Sequence, residues 1–273
     1  MKLVFLGTPD MAVPPLRALV AAGHDVVLVV TRPDKRRGRG GAVSPSPVKA
    51  AARDLGLTVS HDVDDAVSAA RDDGAELGVV VAFGQIVKPH VLDVLPMVNL
   101  HFSLLPRWRG AAPVERALLA GDDVTGVCVM ALEEGLDTGG VYARREVPIG
   151  PETTAIELRS ALVDVGTALL VDTLAAPLGE AVAQTGEVTY AAKLTTDDLE
   201  VDWSQPPAEV HRLIRIGGAW TTFRGKRLKI NGAELHDGVV VPTVVQPEGK
   251  APMGFDAWRR GARPSRDELF GAA

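Results

Sequence analysis

The sequence predicts an α/β fold built on a twisted, mostly parallel, doubly wound sheet. Short apolar runs alternate with helix-like stretches through the first half of the chain. This alternation is typical of folds in which each strand is followed by a helix that covers the sheet. Runs such as residues 25–30 (DVVLVV) are almost wholly apolar, as strands buried on both faces are. Together these two features indicate a central sheet with helices packed on its faces.

The predicted elements follow in order along the chain. Pro9 and Asp10 open a helical stretch that Gly23 closes. Ser46 and Pro47 supply a cap and a first turn for a helix that runs to residue 55. The predicted strands are residues 2–6, 25–30, 77–83, 97–102 and 125–132, the further helices are residues 113–119 and 154–174, and residues 31–45 form a polar loop.

The pattern of apolar residues changes near residues 202–207, which indicates a second domain. Pro206 and Pro207 lead into short β-like runs at residues 227–230 and 238–245. We therefore predict one domain of residues 1–203 and a small, strand-rich domain of residues 204–273.

Composition restricts the class of protein. The 273 residues are 46% hydrophobic and 23% charged, which is typical of a globular chain. Cys128 is the only cysteine, which excludes a disulfide framework within the chain and favours a reducing cytoplasm. Because Cys128 lies within an apolar predicted strand, we expect its thiol to be an inert part of the core. No apolar run approaches about 18 residues, so no membrane span is expected. The net charge of −6 argues against a nucleic-acid partner only as an average, because local basic patches decide such contacts.

Several common enzyme motifs are missing from the sequence. The turn after the first predicted strand (GTPD, residues 7–10) lacks the further glycines that a dinucleotide pyrophosphate requires. The sequence also contains no G-x-x-x-x-G-K-[ST] loop, no G-x-S-x-G elbow and no H-E-x-x-H helix. Dinucleotide, serine-nucleophile and metal-hydrolase chemistries therefore lose their usual support.

The strongest chemical signal lies at the end of the predicted strand 97–102. Asn99 and His101 are two residues apart, so their side chains share one face of the strand. Open α/β sheets bind their ligands at the carboxyl ends of such strands, so the pair favours a catalytic site. A structural interpretation stays open, in which Asn99 caps the strand and His101 is a hydrogen-bonded core residue.

A second signal is Asp137 in the segment GLDTGG (residues 135–140). An aspartate between glycines is most often a turn former, and that interpretation also stays open. The functional alternative is a carboxylate beside the same sheet edge, where it can orient His101 and tune its proton affinity.

Two basic segments contrast with the acidic average of the chain. Residues 32–41 form a Gly-rich loop with five basic side chains against one acid, and residues 211–232 contain no acid. Such segments suit phosphate contacts, although each can also be a solvated basic surface. The basic residues are Arg32, Lys35, Arg36, Arg37 and Arg39 in the first segment and Arg212, Arg215, Arg224, Lys226, Arg227 and Lys229 in the second.

These residues resemble those of the formyltransferases that use 10-formyltetrahydrofolate. The Asn99, His101 and Asp137 pattern, with an SLLP turn between, is shared across that superfamily. Within it, the chain is most similar to the methionyl-tRNA formyltransferase family, through the Arg-Gly loop that leads to PSPVK (45–49), LLPRWRGAAP (104–113) and GLDTG (135–139). The likeness extends over nearly the whole chain, through FLGTPD (5–10), YAAKL (190–194), DWS (202–204) and QPEGK (246–250).

The resemblance implies a Rossmann-like catalytic domain followed by a small C-terminal β-barrel of the OB type. It implies an enzyme that transfers a formyl group from 10-formyltetrahydrofolate, as co-substrate and without a metal, to the α-amine of methionyl initiator tRNA for translation initiation. Asn99, His101 and Asp137 are then the catalytic residues. The implied setting is a monomer in the cytoplasm.

The resemblance also implies where the two substrates bind. The folate pocket is expected around the loops after two strands, although Phe83 and Ile86 can equally be core and Ser103 can simply stabilise its turn. The implied folate-binding residues are Phe83, Gly84, Ile86, Ser103, Leu104, Leu105, Pro106 and Leu136, and the implied tRNA-binding residues are Arg36, Arg37, Arg39, Arg215, Lys226 and Lys229.

The chain departs from the family in its C-terminal part. Only residues 236–239 lie between the strand region of residues 226–235 and residues 240–246. We therefore expect the barrel to be shortened by roughly a strand pair and its loops. Two alternatives to the implied function stay open. One is a nucleotide-sugar formyltransferase with the same three catalytic residues, and the other is a non-catalytic regulator that binds tRNA or folate.

Overall fold

A computed structural model describes residues 1–37, 41–265 and 270–271 of the chain. Its residues divide into two compact units. The first comprises residues 1–113, 124–148 and 159–191, and the second comprises residues 114–123, 149–158 and 192–273. The predicted domain division between residues 203 and 204 stays a prediction.

Strands and helices alternate through the first unit, and strands predominate in the second. The strands are β1 (Lys2–Gly7), β2 (Asp25–Val30), β3 (Lys35–Arg37), β4 (Ala42–Ser44), β5 (Val59–Ser60), β6 (Leu77–Val81), β7 (Met97–His101), β8 (Arg109–Gly110), β9 (Val124–Ala131), β10 (Val141–Pro148), β11 (Tyr190–Ala191), β12 (Trp220–Phe223), β13 (Lys226–His236), β14 (Val239–Pro247) and β15 (Met253–Gly254). The helices are α1 (Val13–Ala21), α2 (Pro47–Asp54), α3 (Asp65–Asp72), α4 (Pro89–Leu92), α5 (Pro113–Ala120), α6 (Ala155–Leu174), α7 (Pro207–Arg215) and α8 (Phe255–Ala262).

The first unit contains the predicted sheet. Seven strands lie in the order β10-β9-β7-β6-β1-β2-β5. The pairs from β7 through β6, β1 and β2 to β5 are parallel, and β9 and β10 add an antiparallel edge. The mostly parallel sheet is therefore confirmed, with β10 as a strand that the sequence did not predict.

The sheet is buried on both faces. On one face, Val4 and Leu6 of β1 pack in a cluster with Ala66 and Ala69 of α3. On the other, a Cβ at Gly166 of α6 would lie 3.2 Å from the side chain of Leu100 in β7, so this helix passes very close to the sheet. Close packing of both faces explains the continuous apolar runs in the sequence.

The predicted polar loop of residues 31–45 is partly a hairpin, so that prediction was wrong in detail. β3 pairs with β4 in antiparallel register, with Arg36 opposite Val43. Its short, largely polar strands lack the apolar alternation that identifies a half-buried strand. Ser46 ends the segment as the N-cap of α2, as predicted, and its hydroxyl accepts a hydrogen bond from the Lys49 backbone N–H at 3.0 Å.

The second unit contains the strand-rich module. β12, β13, β14 and β15 form a four-stranded antiparallel sheet, which is smaller than the five-stranded barrel of an OB fold. Its core brings Val210 and Ile214 of α7 together with Leu228, Val245 and Trp258. The helix α7 was not predicted. Across the described residues, no helix is both long and apolar enough to cross a membrane.

Candidate active site

Strand β7 presents the two predicted polar residues on one face. Leu100, which lies between them, points toward α6, so Asn99 and His101 point to the opposite face. There the antiparallel register places Met130 and Cys128 of β9 beside them. His101 is the last residue of its strand and is buried.

The His101 ring lies between two oxygen acceptors. Its Nε2 is 3.0 Å from the backbone carbonyl of Trp108, and its Nδ1 is 3.7 Å from Oδ2 of Asp137. Only a doubly protonated imidazole has a donor for both of these acceptors. The surroundings of the ring therefore suit a residue that holds and transfers a proton.

Asp137 connects the three predicted catalytic residues. Its Oδ2 accepts a hydrogen bond of 2.7 Å from the backbone N–H of Gly110, and its Oδ1 lies 3.5 Å from the amide nitrogen of Asn99. Only 12% of its side chain is exposed, so solvent screens its charge weakly. The sequence prediction that Asn99, His101 and Asp137 come together therefore agrees with the geometry.

Three residues in the loops around this site have unfavourable backbone conformations. Ala82, Trp108 and Asp137 have positive φ angles of 46°, 63° and 50°. Such conformations cost free energy in residues other than glycine and persist where the surrounding structure enforces them, often at functional sites. At Gly110, which has a φ of 121°, an added Cβ would also lie 2.9 Å from the carbonyl oxygen of Ala191. Both the backbone conformation and this close contact therefore disfavour any residue with a side chain at this position.

Sequence reasoning missed several groups that build the site. The Trp108 carbonyl and the Gly110 N–H are backbone groups, which no side-chain pattern can show. Gln184 donates from Nε2 to the carbonyl oxygens of Asp137 and Gly139 at 2.8 Å each, and its Oε1 accepts from Arg109. Gln184 lies in a polar stretch with no motif, so only its contacts reveal it.

The predicted folate-binding residues fall into two groups. Ile86 and Leu136 are exposed over 87% and 59% of their surface, and Gly84 is also exposed. Ser103 is fully buried and donates a hydrogen bond to the Arg107 carbonyl at 2.6 Å, as expected for a residue that stabilises its turn. The remaining members, Phe83, Leu105 and Pro106, are buried, and Leu104 is half-buried.

The predicted tRNA-binding residues differ in their surroundings. Arg36 is exposed on the hairpin, and Lys226 and Lys229 are exposed on β13. The backbone of Arg37 lies in β3, whereas Arg39 lies outside the described residues. Arg215 is half-buried and donates hydrogen bonds to the carbonyls of Gly150 and Thr153 at 3.3 and 3.0 Å, and burial lowers the pKa of its guanidinium.

The single cysteine lies in the core beneath the site. Cys128 is fully buried on β9, directly across the ladder from His101. Burial raises the pKa of its thiol above the ordinary value, which keeps the sulfur neutral and unreactive at neutral pH. Among the described residues, no group of three or more His, Cys, Asp or Glu side chains is arranged to hold a metal ion.

Comparison with known proteins places this geometry in a family. Residues 1–174 match the family model described as Formyl transferase, and residues 193–239 match that of the formyl transferase C-terminal domain. A methionyl-tRNA formyltransferase from Roseobacter denitrificans is 48% identical over 258 residues, which cover 90% of this chain and 85% of the relative. The chain belongs to the methionyl-tRNA formyltransferase family. A second member, from Cereibacter sphaeroides, is 41% identical and is matched over 100% of both chains.

Several solved structures share the fold of this chain. A methionyl-tRNA formyltransferase from Clostridium thermocellum superposes with a TM-score of 0.60 at 14% identity, covering 90% of this chain and 98% of that one. HypX from Aquifex aeolicus, in complex with tetrahydrofolic acid, gives a TM-score of 0.66 at 14% identity and covers 100% of this chain and 51% of its own. An N-formyltransferase from Helicobacter canadensis gives 0.64 at 17% identity, with 93% of this chain and 98% of that one covered. These likenesses concern the fold.

Proposed function

We propose that this member of the family transfers the formyl group of 10-formyltetrahydrofolate to the α-amino group of methionine on initiator tRNA, and so acts in translation initiation. The observation that carries the proposal is the meeting of Asn99, His101 and Asp137 on one face of β7, next to strained loops. Family membership at 41–48% identity to the relatives named above supports the choice of reaction.

The reaction needs stabilisation of a developing negative charge. When the methionine amine attacks the formyl carbon, the formyl oxygen becomes an oxyanion, which preorganised N–H donors stabilise. Asn99 has two amide N–H groups, and the one that approaches Asp137 orients the other. We assign Asn99 to the oxyanion.

The reaction also needs a proton to move from the attacking amine to the N10 atom of the folate leaving group. A histidine suits this role because its proton affinity lies close to neutral pH. Asp137 faces Nδ1 of His101, so Nε2 is the nitrogen we assign to the transfer, in exchange for its present bond to the Trp108 carbonyl. Asp137 holds the ring in place. No covalent intermediate on the enzyme is required.

The exposed apolar side chains suit a flat aromatic co-substrate. Ile86 and Leu136 offer apolar surface to water, and a pterin ring that covers it would gain hydrophobic free energy. Gly84 is exposed and has no side chain, so a pterin can approach its backbone closely, beside the hydrogen bond that its carbonyl accepts from Arg32. We therefore keep these three residues as the main folate contacts, with Phe83, Ser103, Leu104, Leu105 and Pro106 forming the support of the pocket.

Exposed cations suit the second substrate. Arg36 on the hairpin and Lys226 and Lys229 on β13 are exposed and can meet phosphates. The proposal also includes Arg37 and Arg39, which belong to the same basic stretch of the sequence, residues 32–41. The contacts of Arg215 with two backbone carbonyls make it the weakest member of the predicted set. We further propose that the protein acts as a monomer in the cytoplasm, since Asn99, His101 and Asp137 require no second copy to complete the site and the proposed role is in translation initiation.

A transfer assay tests the proposed function. The purified chain is mixed with 10-formyltetrahydrofolate and charged methionyl initiator tRNA, and N-formylmethionine released from the tRNA is quantified. We expect product with the wild type and a fall in kcat of roughly 100-fold or more for His101→Ala, because general acid–base catalysis by one side chain contributes about that much. The melting temperature of the variant serves as the folding control. Near-normal turnover by a folded His101→Ala protein contradicts the catalytic role.

A further inference from the structure

Residues 182–191 form a strap along the candidate active site. At one end Val182 exchanges two backbone hydrogen bonds with Val141 of β10, at 2.8 and 3.0 Å. At the other end the Thr189 hydroxyl accepts from the Trp108 backbone N–H at 2.9 Å, and β11 pairs with β8. The strap thus contacts the loop that contains Trp108 and Gly110, whose backbone groups bind His101 and Asp137.

Gln184 lies within this strap, and both the oxygen and the nitrogen of its side-chain amide form hydrogen bonds. Its Oε1 accepts from Nε and Nη2 of Arg109 at 3.1 and 2.7 Å. Its Nε2 donates to the carbonyl oxygens of Asp137 and Gly139 at 2.8 Å each. Arginine only donates and a carbonyl only accepts, so the amide has a single satisfactory orientation with four hydrogen bonds.

These four bonds hold the two segments that position the Asp137 carboxylate. One pair fixes the backbone of Asp137 itself, whose positive φ is unfavourable without support. The other pair fixes Arg109, whose neighbour Gly110 donates to the carboxylate at 2.7 Å. Since Asp137 in turn faces Nδ1 of His101, a change at Gln184 reaches the histidine through one intermediate residue.

We propose that Gln184 is a positioning residue for formyl transfer, which acts by holding Asp137 in the strained conformation that orients His101. The proposal rests on the proposed function. Among the described residues, the side-chain hydrogen bonds of Gln184 go to Arg109, Asp137 and Gly139 rather than to His101 or Asn99, so its effect is carried by Asp137 and Gly110.

Two substitutions separate the parts of this interaction. Gln184→Glu keeps the shape and the acceptor for Arg109 but replaces the amide donor with oxygen, so the two carbonyls of residues 137 and 139 face a carboxylate. Gln184→Met keeps the approximate length without any hydrogen bond. Glu187→Gln, on an exposed residue of the same strap, is the matched control.

The first measurement is steady-state formylation with each substrate varied. We expect both Gln184 variants to lower kcat by about tenfold or more while both KM values change by less than about threefold, because catalytic geometry rather than substrate binding is lost. In an Asp137→Asn background, Gln184→Met should lower kcat by less than about twofold, since residues that act as a unit are not additive.

The second measurement does not depend on activity. The exchange rate of the Gly110 amide proton reports on its hydrogen bond to Asp137, and we expect it to rise by about tenfold or more in Gln184→Met but not in Glu187→Gln. Melting temperatures identify any variant that fails to fold, and Gln184→Glu then remains as the test because it preserves shape.

The outcomes distinguish the two proposals. A wild-type protein that makes no formylated tRNA overturns the proposed function, whereas the exchange measurement still reports on the strap. An active wild type with folded Gln184 variants of unchanged kcat overturns the positioning role. A loss confined to the KM for tRNA, or an undiminished effect in the Asp137→Asn background, also overturns it.

Discussion

His101 occupies the centre of the candidate site because each neighbour meets a different part of its ring. The Trp108 carbonyl is within hydrogen-bond distance of Nε2, whereas the carboxylate of Asp137 stands off from Nδ1 by 3.7 Å. Catalytic contacts are often long before substrates bind and shorten in the reacting complex. The Asp137 carboxylate is itself fixed by the hydrogen bond that it accepts from the Gly110 N–H.

At this scale the sequence predicted side chains well and backbone groups poorly. Asn99 and His101 share a strand face by simple alternation, and Asp137 joined them through the resemblance. The Trp108 carbonyl and Gly110 N–H escaped prediction because their orientation depends on strained φ angles rather than on residue type. Gln184 escaped because a polar residue in a loop has no periodicity to mark it.

Cys128 gives a prediction at the residue scale. Its thiol is fully buried and burial raises its pKa, so a thiol reagent such as DTNB should not label the native protein at neutral pH, while one equivalent should react in guanidinium chloride. Rapid labelling without denaturant contradicts the assignment of Cys128 to the inert core.

The raised pKa of Cys128 also sets the sign of a pH effect. The unfolded chain loses the thiol proton more readily than the native chain does. The contribution of the thiol to stability is therefore complete below the ordinary value of 9.0 and is lost as the pH rises through the higher native value.

Elements with continuous apolar faces were predicted more accurately than elements at edges. β6, β7 and β9 are buried strands and were predicted within a residue or two, while β10 was missed because its middle is exposed and charged. α7 was missed because the prolines at its N-cap and first position were interpreted only as a domain boundary, although Val210, His211 and Ile214 form a buried stripe. The hairpin of β3 and β4 had no apolar signal.

The turn before α7 gives a prediction at the element scale. The Asp202 carboxylate accepts hydrogen bonds from the Gln205 side chain and from the side chain and backbone of Ser204, which lower its pKa to about 2. The folded value lies below the ordinary 3.8, so this stabilisation is complete above that value and is lost as the pH falls toward 2. We expect the stability gap between wild type and Asp202→Asn to shrink as the pH is lowered from about 5 to about 3.

Urea denaturation at several pH values measures that gap. Asp237→Asn, at the exposed turn between β13 and β14, is the matched control and should show no such trend. A gap that stays constant or widens on acidification contradicts the assigned hydrogen bonds of Asp202.

For the whole molecule, the position of charges matters more than their sum. The net charge of −6 alone disfavours a nucleic-acid partner, yet exposed cations gather on the hairpin and on β13. A surface that is acidic elsewhere limits non-specific binding to RNA. The four-stranded sheet of the second unit agrees with the predicted shortening, which leaves fewer strands to present basic residues.

The fold is shared with enzymes that act on different acceptors, so fold alone does not define the substrate. The Helicobacter canadensis N-formyltransferase was crystallised with folinic acid and dTDP-3-aminofucose, and it resembles this chain as closely in fold as the Clostridium thermocellum methionyl-tRNA formyltransferase does. Sequence identity favours tRNA as the acceptor, because the methionyl-tRNA formyltransferases named above are 41% and 48% identical to this chain. The central prediction for this protein is therefore that its formyl acceptor is methionyl initiator tRNA.

A competition for limiting 10-formyltetrahydrofolate tests that claim most directly. Charged methionyl initiator tRNA and an amino-sugar nucleotide are offered together at equal concentration, and the two formylated products are separated and quantified. We expect formyl groups on the tRNA to exceed those on the sugar by about 1,000-fold or more, because a site built for one acceptor rejects another that leaves its polar groups unpaired. Comparable amounts of the two products, or an excess of formylated sugar, would contradict the account.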